Sequence, residues 1–492
     1  MWAVSVACLS TPVVAQTTLN EAIIQSLAHD PVIDKVHADV TEAQGFAKTV
    51  KADLLPQLSI EGRFGAAMHD QVAAGAEGDT LMNRRGSVLG RQHLWDGGYF
   101  WNRWQDAKQR VVAKELLDKA QRESTAIGIV EAYLDVVRAR KQIELAKQSV
   151  AAHQKVLDLA KKRAEAAGNQ ADIELSSARY NLARTLVLER ELALHQAEAA
   201  FTRWVGHNPP AHLSMPDVPE VNSLREIDPT QNFHYLATLK QREAAELEKK
   251  ALLKKYYPRF YLEGAAGLGQ DVYGTKGRDN DASILIVGSW DILDGGKRKG
   301  EVQQATADID RQIAIIEETL VLLNQDINAR WQDYRSIDQR LKLIRDYANS
   351  LDKTVKLYQE QFDLGSRPLL SLLDIQNEVI SASIRIEDEV HDRALLSYRL
   401  LFFGGRLIRD TVGAAYLEPA STRRGKGKEM ISKNVVPTRN ASTEASGSTP
   451  GIGSKQQGPK PVVVFRTTTN VQLVFTEDSA GGGALLDTDP VD

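Results

Sequence analysis

From Leu58 to Ala66 apolar and polar side chains alternate. Leu58, Ile60, Gly62, Phe64 and Ala66 fall on one side, and Ser59, Glu61, Arg63 and Gly65 on the other. A period of two predicts a strand with one oily and one wet face. The pattern recurs in the second half, where Phe260, Leu262, Gly264, Ala266 and Leu268 oppose Tyr261, Glu263, Ala265 and Gly267. A polar loop follows each strand, at about 68–85 and 270–281, and then a second strand. These run from about Gly86 to Trp95, with mixed alternation, and from Ser283 to Ile292, where Ile284, Ile286, Gly288, Trp290 and Ile292 share a face.

The remaining stretches have helical periodicity. Thr18 and Glu21 form a capping box for a helix over Thr18–Asp53, which Pro56 ends. In the second half apolar residues recur from Ile309 through Leu320, Ile327, Tyr334, Leu341 and Leu351 to Phe362 in steps of four and three. This 3.5-residue repeat predicts a supercoiled helix about 80 Å long, far longer than a small domain is wide. The first half has a counterpart from Trp101 to Ala167, with Ile127, Val130, Leu134 and Val137 on one face. Gly168 and Gly365 end the two long helices, and partner helices follow at Ala171–Val205 and Pro368–Phe403. Glycine tolerates the left-handed position that reverses a chain after a helix, so two long antiparallel hairpins are expected.

The chain is therefore internally duplicated. Leu55-Pro56-Gln57-Leu58-Ser59-Ile60-Glu61-Gly62 is echoed by Tyr257-Pro258-Arg259-Phe260-Tyr261-Leu262-Glu263-Gly264, and Leu94-Trp95-Asp96-Gly97-Gly98 by Ile292-Leu293-Asp294-Gly295-Gly296. The Gly97-Gly98 and Gly295-Gly296 pairs would let the chain swing from tilted strand into helix. The expected order is a leader over 1–15, a first repeat over 16–208, a linker over 209–223 marked by Pro209, Pro210, Pro216 and Pro219, a second repeat over 224–406, and a low-complexity, mostly disordered tail over 407–492. The apolar start ends Val13-Val14-Ala15, which suits signal cleavage, although no Lys or Arg precedes it and the true start could lie upstream. The rival reading makes Cys8 a lipidated first residue, with Ser5 a poor match three places before it.

Composition narrows the function. The net charge is -4 with 26% charged residues, so no domain-wide basic excess marks a nucleic-acid binder. The single cysteine, Cys8, lies in the leader, which leaves no disulfide or thiolate metal site. The ten histidines are scattered without His-Glu-x-x-His spacing. Gly267-Leu268-Gly269 lies in a strand pattern and precedes no helix, so it is not a nucleotide loop. Neither an enzyme nor a cofactor is expected. Trp95, Tyr99, Phe100, Trp101 and Trp104 crowd the first strand-to-helix junction, either as a belt at a membrane boundary or as packing at a helix start.

No run of about 18 apolar residues occurs, but barrel strands escape such scans. Four strands with one apolar face cannot close a barrel, and open edges are not tolerated in lipid. Several chains must pool strands: two would give about eight and three about twelve, and bacterial barrels accept either number. A soluble periplasmic coiled-coil scaffold or adaptor is the alternative, disfavoured by the strands and the leader.

The chain resembles the TolC family of outer-membrane channel proteins over roughly Thr18 to Gly405. The resemblance rests on the duplication, on Leu19-Asn20-Glu21-Ala22-Ile23 with Asp30-Pro31, and on the second hairpin turn. That turn reads Leu357-Tyr358-Gln359-Glu360-Gln361-Phe362-Asp363-Leu364-Gly365-Ser366-Arg367, then Leu372-Leu373-Asp374-Ile375-Gln376. The fold it implies is mainly α with membrane β: a homotrimer pooling four strands per protomer into a twelve-stranded barrel, continued by a long α-helical barrel. Such proteins sit in the outer membrane of Gram-negative bacteria, in contact with its lipid, and extend into the periplasm. They are exit ducts for proteins in type I secretion or for small molecules, and work with a periplasmic adaptor (membrane fusion) protein and an inner-membrane ABC or proton-driven transporter. The resemblance also places a constriction at Asp374 and Ser371, where Ser371 replaces an acid. It implies a gate link between Arg367 and Glu174 near Phe362, which replaces a tyrosine. An Asp374 ring is weighed against an ordinary solvated aspartate, and the Arg367–Glu174 link against an ordinary surface pair.

Overall fold

The computed structural model describes residues 18–68, 80–167, 170–272 and 276–418. The expected leader with Cys8, the Gly168 turn and the tail beyond 418 lie outside the described residues. The chain begins with α1 (Leu19–His29) and α2 (Pro31–Ala52), where the sequence predicts one helix. Thr18 caps α1 through the expected box with Glu21. Pro31 accounts for the break, because it has no N–H to continue the ladder. Asp30 then caps α2 by accepting from the Val32 N–H at 2.9 Å.

Four strands follow the predicted order: β1 (Gln57–Met68), β2 (Thr80–Trp95), β3 (Arg259–Gln270) and β4 (Arg278–Ser289). They pair antiparallel in sequence order, so among the described residues β1 and β4 are free edges. β2 begins earlier than the Gly86 boundary, and β4 begins and ends before the Ser283–Ile292 range. In both, the pairing register with a neighbour recruits polar residues that the alternation alone assigns to a loop. A register shift between His93 and Trp95 also breaks the alternation of β2 near its end.

The register sorts the paired strand residues onto two faces. Leu58, Ile60, Phe64, Val88, Leu262, Leu268, Ile284 and Ile286 share one face and are exposed, Ile60 to 80% and Ile284 to 81%. Glu61, Arg63, Arg85, Arg91, Glu263, Asp279 and Asp281 share the other. There Arg63 pairs with Glu61 at 3.3 Å and Arg91 with Glu263 at 3.2 Å. Arg85 reaches across β3 to Asp279 at 3.4 Å and to Asp281. Gly267 makes that reach possible, since a Cβ there would stand 2.6 Å from the Asp281 carboxylate and 3.0 Å from the guanidinium. The Gly267-Leu268-Gly269 pattern therefore serves a cross-strand ion pair.

The helices α3 (Tyr99–Ala167), α4 (Gln170–Val205), α5 (Phe233–Lys254), α6 (Lys297–Asp363) and α7 (Leu369–Phe403) form a single layer. α3 has 69 residues and α6 has 67, each about 100 Å long. α2, α3, α5 and α6 lie side by side in the half next to the strands, and α4, α3, α7 and α6 in the other. No described helix is long and apolar enough to cross a membrane. The main core, around Ile129, Tyr133, Phe201, Leu400 and Leu407, sits where the two halves meet.

The segment between the repeats carries neither helix nor strand from 206 to 223, yet it is tied down. Its carbonyls accept from Tyr133 Oη at Ser214, Tyr398 Oη at Asp217 and Arg140 Nη1 at Pro210, at 2.9, 3.1 and 2.7 Å. Helical order also continues past the expected 406 boundary. α8 (Leu407–Thr411) buries Leu407 and Ile408 completely in the core. The Ile408 N–H donates to Glu123 at 3.1 Å, on a carboxylate only 2% exposed. Two apolar residues and a buried acceptor therefore hold a segment whose sequence reads as tail.

Burial pushes the Glu123 carboxyl from 4.5 up to about 8, against the lowering pull of the Ile408 and Leu407 N–H groups. The folded chain then holds a proton that the unfolded chain releases, so stability falls as pH rises between those values. Glu123→Gln keeps the acceptor and removes the titration. Thermal melts are expected to show the variant gaining on the wild type from pH 5 to pH 9. A gap that does not change with pH would remove this assignment.

Candidate channel constriction

The tip of the second hairpin is a tight reversal. α6 ends at Leu364, and Gly365 takes φ 76°, the left-handed region where a Cβ is costly. The Gly365 N–H donates to Phe362 O and the Ser366 N–H to Gln361 O, both at 2.9 Å, closing the last turn as a Schellman motif. Pro368 then precedes α7 with extended backbone. Phe362 is 3% exposed and packs with Val156, Leu369, Leu372 and Leu373. The Arg163 guanidinium of α3 stands 4.5 Å from its ring centroid. A phenolic hydroxyl at this position would be buried, which suits phenylalanine.

Asp374 and Ser371 stand one turn apart on α7, Asp374 exposed and Ser371 half-buried. Asp374 is not a free carboxylate: Arg179 of α4 holds it at 3.1 Å, with both side chains open to solvent. Sequence reasoning missed Arg179, because only the fold brings the two helices together. Nearby, His153 of α3 meets Asn377 of α7 at 3.0 Å, and burial pulls its imidazole below the ordinary histidine range.

The expected Arg367–Glu174 link is not made within the protomer. Arg367 Nε donates to Gln361 Oε1 at 2.7 Å, and its guanidinium lies 3.7 Å from the Tyr358 ring centroid. The reversal at Gly365 folds Arg367 back along its own helix. Glu174 is exposed on α4, with α3 and α7 between α4 and α6 in the helical layer.

The strand-to-helix junctions combine the expected glycines with an aspartate. Gly97, Gly98, Gly295 and Gly296 all take positive φ, from 64° to 93°. Asp96, 3% exposed, accepts from the Gly98, Tyr99 and Phe100 N–H groups at 2.7–3.0 Å. Asp294 accepts from Gly296 and Arg298 N–H at 3.1 and 3.0 Å, and the Arg298 N–H in particular holds its carboxyl below the usual range. In each Asp-Gly-Gly the glycines turn the chain and the carboxylate caps the orphan N–H groups of the long helix. Around the first junction Trp95 and Trp101 are exposed, while Trp101 and Trp104 meet edge to face at 5.0 Å. Tyr99, Phe100 and Trp104 are partly covered, so the cluster both packs and faces outward.

Known proteins resemble this chain in sequence and in fold. The chain is 23% identical over 335 residues to the outer membrane efflux protein BepC of Brucella suis, covering 65% of this chain and 72% of BepC. It is 21% identical over 409 residues to the alkaline protease secretion protein AprF of Pseudomonas aeruginosa, covering 78% of this chain and 83% of AprF. The fold matches the outer membrane protein VceC of Vibrio cholerae with a TM-score of 0.70 at 18% identity, over 80% of this chain and 96% of VceC. It matches the CmeC outer membrane channel of Campylobacter jejuni with a TM-score of 0.69 at 14% identity, over 83% and 89%. The outer membrane efflux protein family matches residues 22–207 and 231–394, and the soluble-scaffold alternative falls away: the chain belongs to that family.

Proposed function

We propose that three copies of this chain form an outer-membrane exit duct. The duct receives cargo from an inner-membrane ABC or proton-driven transporter through a periplasmic adaptor. One observation carries this reading: a four-stranded sheet with two free edges and a continuous exposed apolar face. Such a sheet is satisfied in lipid only by closure with other strands. The free β1 edge of one copy complements the free β4 edge of the next. The helical layer supports the same joint, because its outer members also carry bare leucines. Leu182, Leu188 and Leu192 of α4 and Val321, Leu322, Leu343 and Leu357 of α6 are 52–69% exposed.

The reading assigns Asp374 to a ring around the axis, with Ser371 one turn away contributing no charge. Arg179 beside each Asp374 tempers the ring. Arg367, in the turn between α6 and α7, and Glu174, near the start of α4, are assigned to a link between neighbouring copies. An exposed pair contributes about 0–1 kcal/mol, so three pairs would act as a weak latch. The likeness to the efflux protein BepC favours an efflux role, and the likeness to the alkaline protease secretion protein AprF favours a secreted protein as cargo.

Leu343→Glu is expected to convert a trimer into monomers in detergent, read by light scattering; an unchanged trimer would refute the α4–α6 joint. In planar bilayers, Asp374→Asn should lower the cation-to-anion permeability ratio and Arg179→Ala should raise it. The size expected for one nearby charge in watery surroundings is about fivefold. Reversal potentials that move for neither variant would reject the constriction. Arg367→Ala should raise single-channel conductance, and an unchanged conductance would reject the latch.

A further inference from the structure

The charged residues of the sheet are divided between its faces in an uneven way. All four strand carboxylates among the residues whose faces the register fixes, Glu61, Glu263, Asp279 and Asp281, lie on the polar face with Arg63, Arg85 and Arg91. Each of those arginines has a carboxylate partner. The apolar face carries just two charges among the described strand residues, Arg84 and Arg278. Neither forms an ion pair with a described residue, and both are exposed.

These two arginines share one level. Arg84 is paired with Gln270, and Gln270 with Arg278, so the row across the sheet reads Phe64, Arg84, Gln270, Arg278. Phe64, Arg84, Leu268, Gln270, Arg278 and Asn280 line a shallow cavity of about 540 Å³, together with the strand residues between them, which include Arg63 and Arg85 as well as Gly62, Gly86 and Gly269. The missing side chains at Gly62 and Gly86 leave the dent open.

The height of the row is informative. All strand-to-helix junctions lie at the opposite end of the sheet, so the row stands toward the β1–β2 and β3–β4 loops. From Phe260, at the aromatic junction, to Gln270 the strand climbs about 34 Å. At a barrel tilt of about 40° this is about 26 Å of height, close to the roughly 25 Å apolar band of outer-membrane barrels. An unpaired arginine is strongly disfavoured in the middle of that band and nearly free of penalty at its edge. The row falls where guanidinium groups meet headgroups.

We propose that Arg84 and Arg278, flanking Gln270, hold the phosphate of an outer-leaflet lipid headgroup. Guanidinium groups match phosphate in charge and can bond it bidentately, and Gln270 can add a donor between them. Phe64 and Leu268 give the adjoining acyl chain an apolar wall. The inference rests on the barrel reading, since only there does this face meet lipid.

The test uses purified full-length protein, delipidated in detergent and then given diphosphoryl lipid A or its dephosphorylated counterpart, with retained lipid counted by native mass spectrometry. Arg84→Gln/Arg278→Gln is expected to weaken retention of the diphosphoryl lipid about thirtyfold, the effect of two cations at an anionic surface. Arg91→Gln, on the polar face and away from this cavity, should retain it as the wild type does. Equal retention by the double variant, or equal wild-type retention of the dephosphorylated lipid, overturns the proposal. The trimer mass in the same spectra reports the barrel separately. A trimer with unchanged lipid retention sinks the headgroup site alone, whereas a wild type that is monomeric sinks the barrel reading and the site with it.

Discussion

Water satisfies an exposed strand edge, but hydrocarbon cannot. Each N–H and C=O left bare in lipid costs several kcal/mol, and the free edges of β1 and β4 carry a row of them. The oily face of the sheet asks for lipid while its edges forbid it. The two demands are reconciled when copies of the chain lend strands to one another. Such a joint would also set the helices attached to each strand side by side. Bare leucines on α4 and α6, the outer members of the layer, are consistent with the same association continuing away from the membrane.

Between sheet and helices the chain must change direction without leaving orphan backbone groups. The Asp-Gly-Gly units do this with two effects. Consecutive left-handed glycines turn the backbone at no Cβ cost, and a carboxylate accepts the first N–H groups of a helix about 100 Å long. A glycine pair alone would turn the chain but leave the helix uncapped. Duplication of the unit gives both long helices the same start, so they form walls of nearly equal length on either side of α5 and α7.

Charge is arranged differently at the two ends of the molecule. On the polar face of the sheet every arginine is matched with a carboxylate, in one case across an intervening strand through the space left by Gly267. Around the hairpin tip Asp374 is matched with Arg179. The apolar face keeps two unmatched arginines at a single level. Matched charges leave little net field on the polar face, and unmatched ones leave a positive field on the apolar one.

Periodicity made much of the fold legible in the sequence. The alternation at Leu58–Ala66 and Phe260–Leu268 gave the strand faces, and the 3.5-residue stripe gave α6, because both depend on local spacing that the backbone geometry enforces. Gly365 and the Asp-Gly-Gly glycines were equally local. What depended on distant pairing was not legible. The extension of β2 to Thr80 needed its partner strand, the docking of Leu407 and Ile408 needed the buried Glu123, and the Arg179–Asp374 pair needed two helices from different repeats. Arg367 shows the same limit from the other side: its motif suggested Glu174, but within the protomer the turn delivers it to Gln361 and Tyr358. Sequence fixes what neighbours along the chain can do together. Only the packed layer decides which side chains meet across it, since that depends on helix order and strand register.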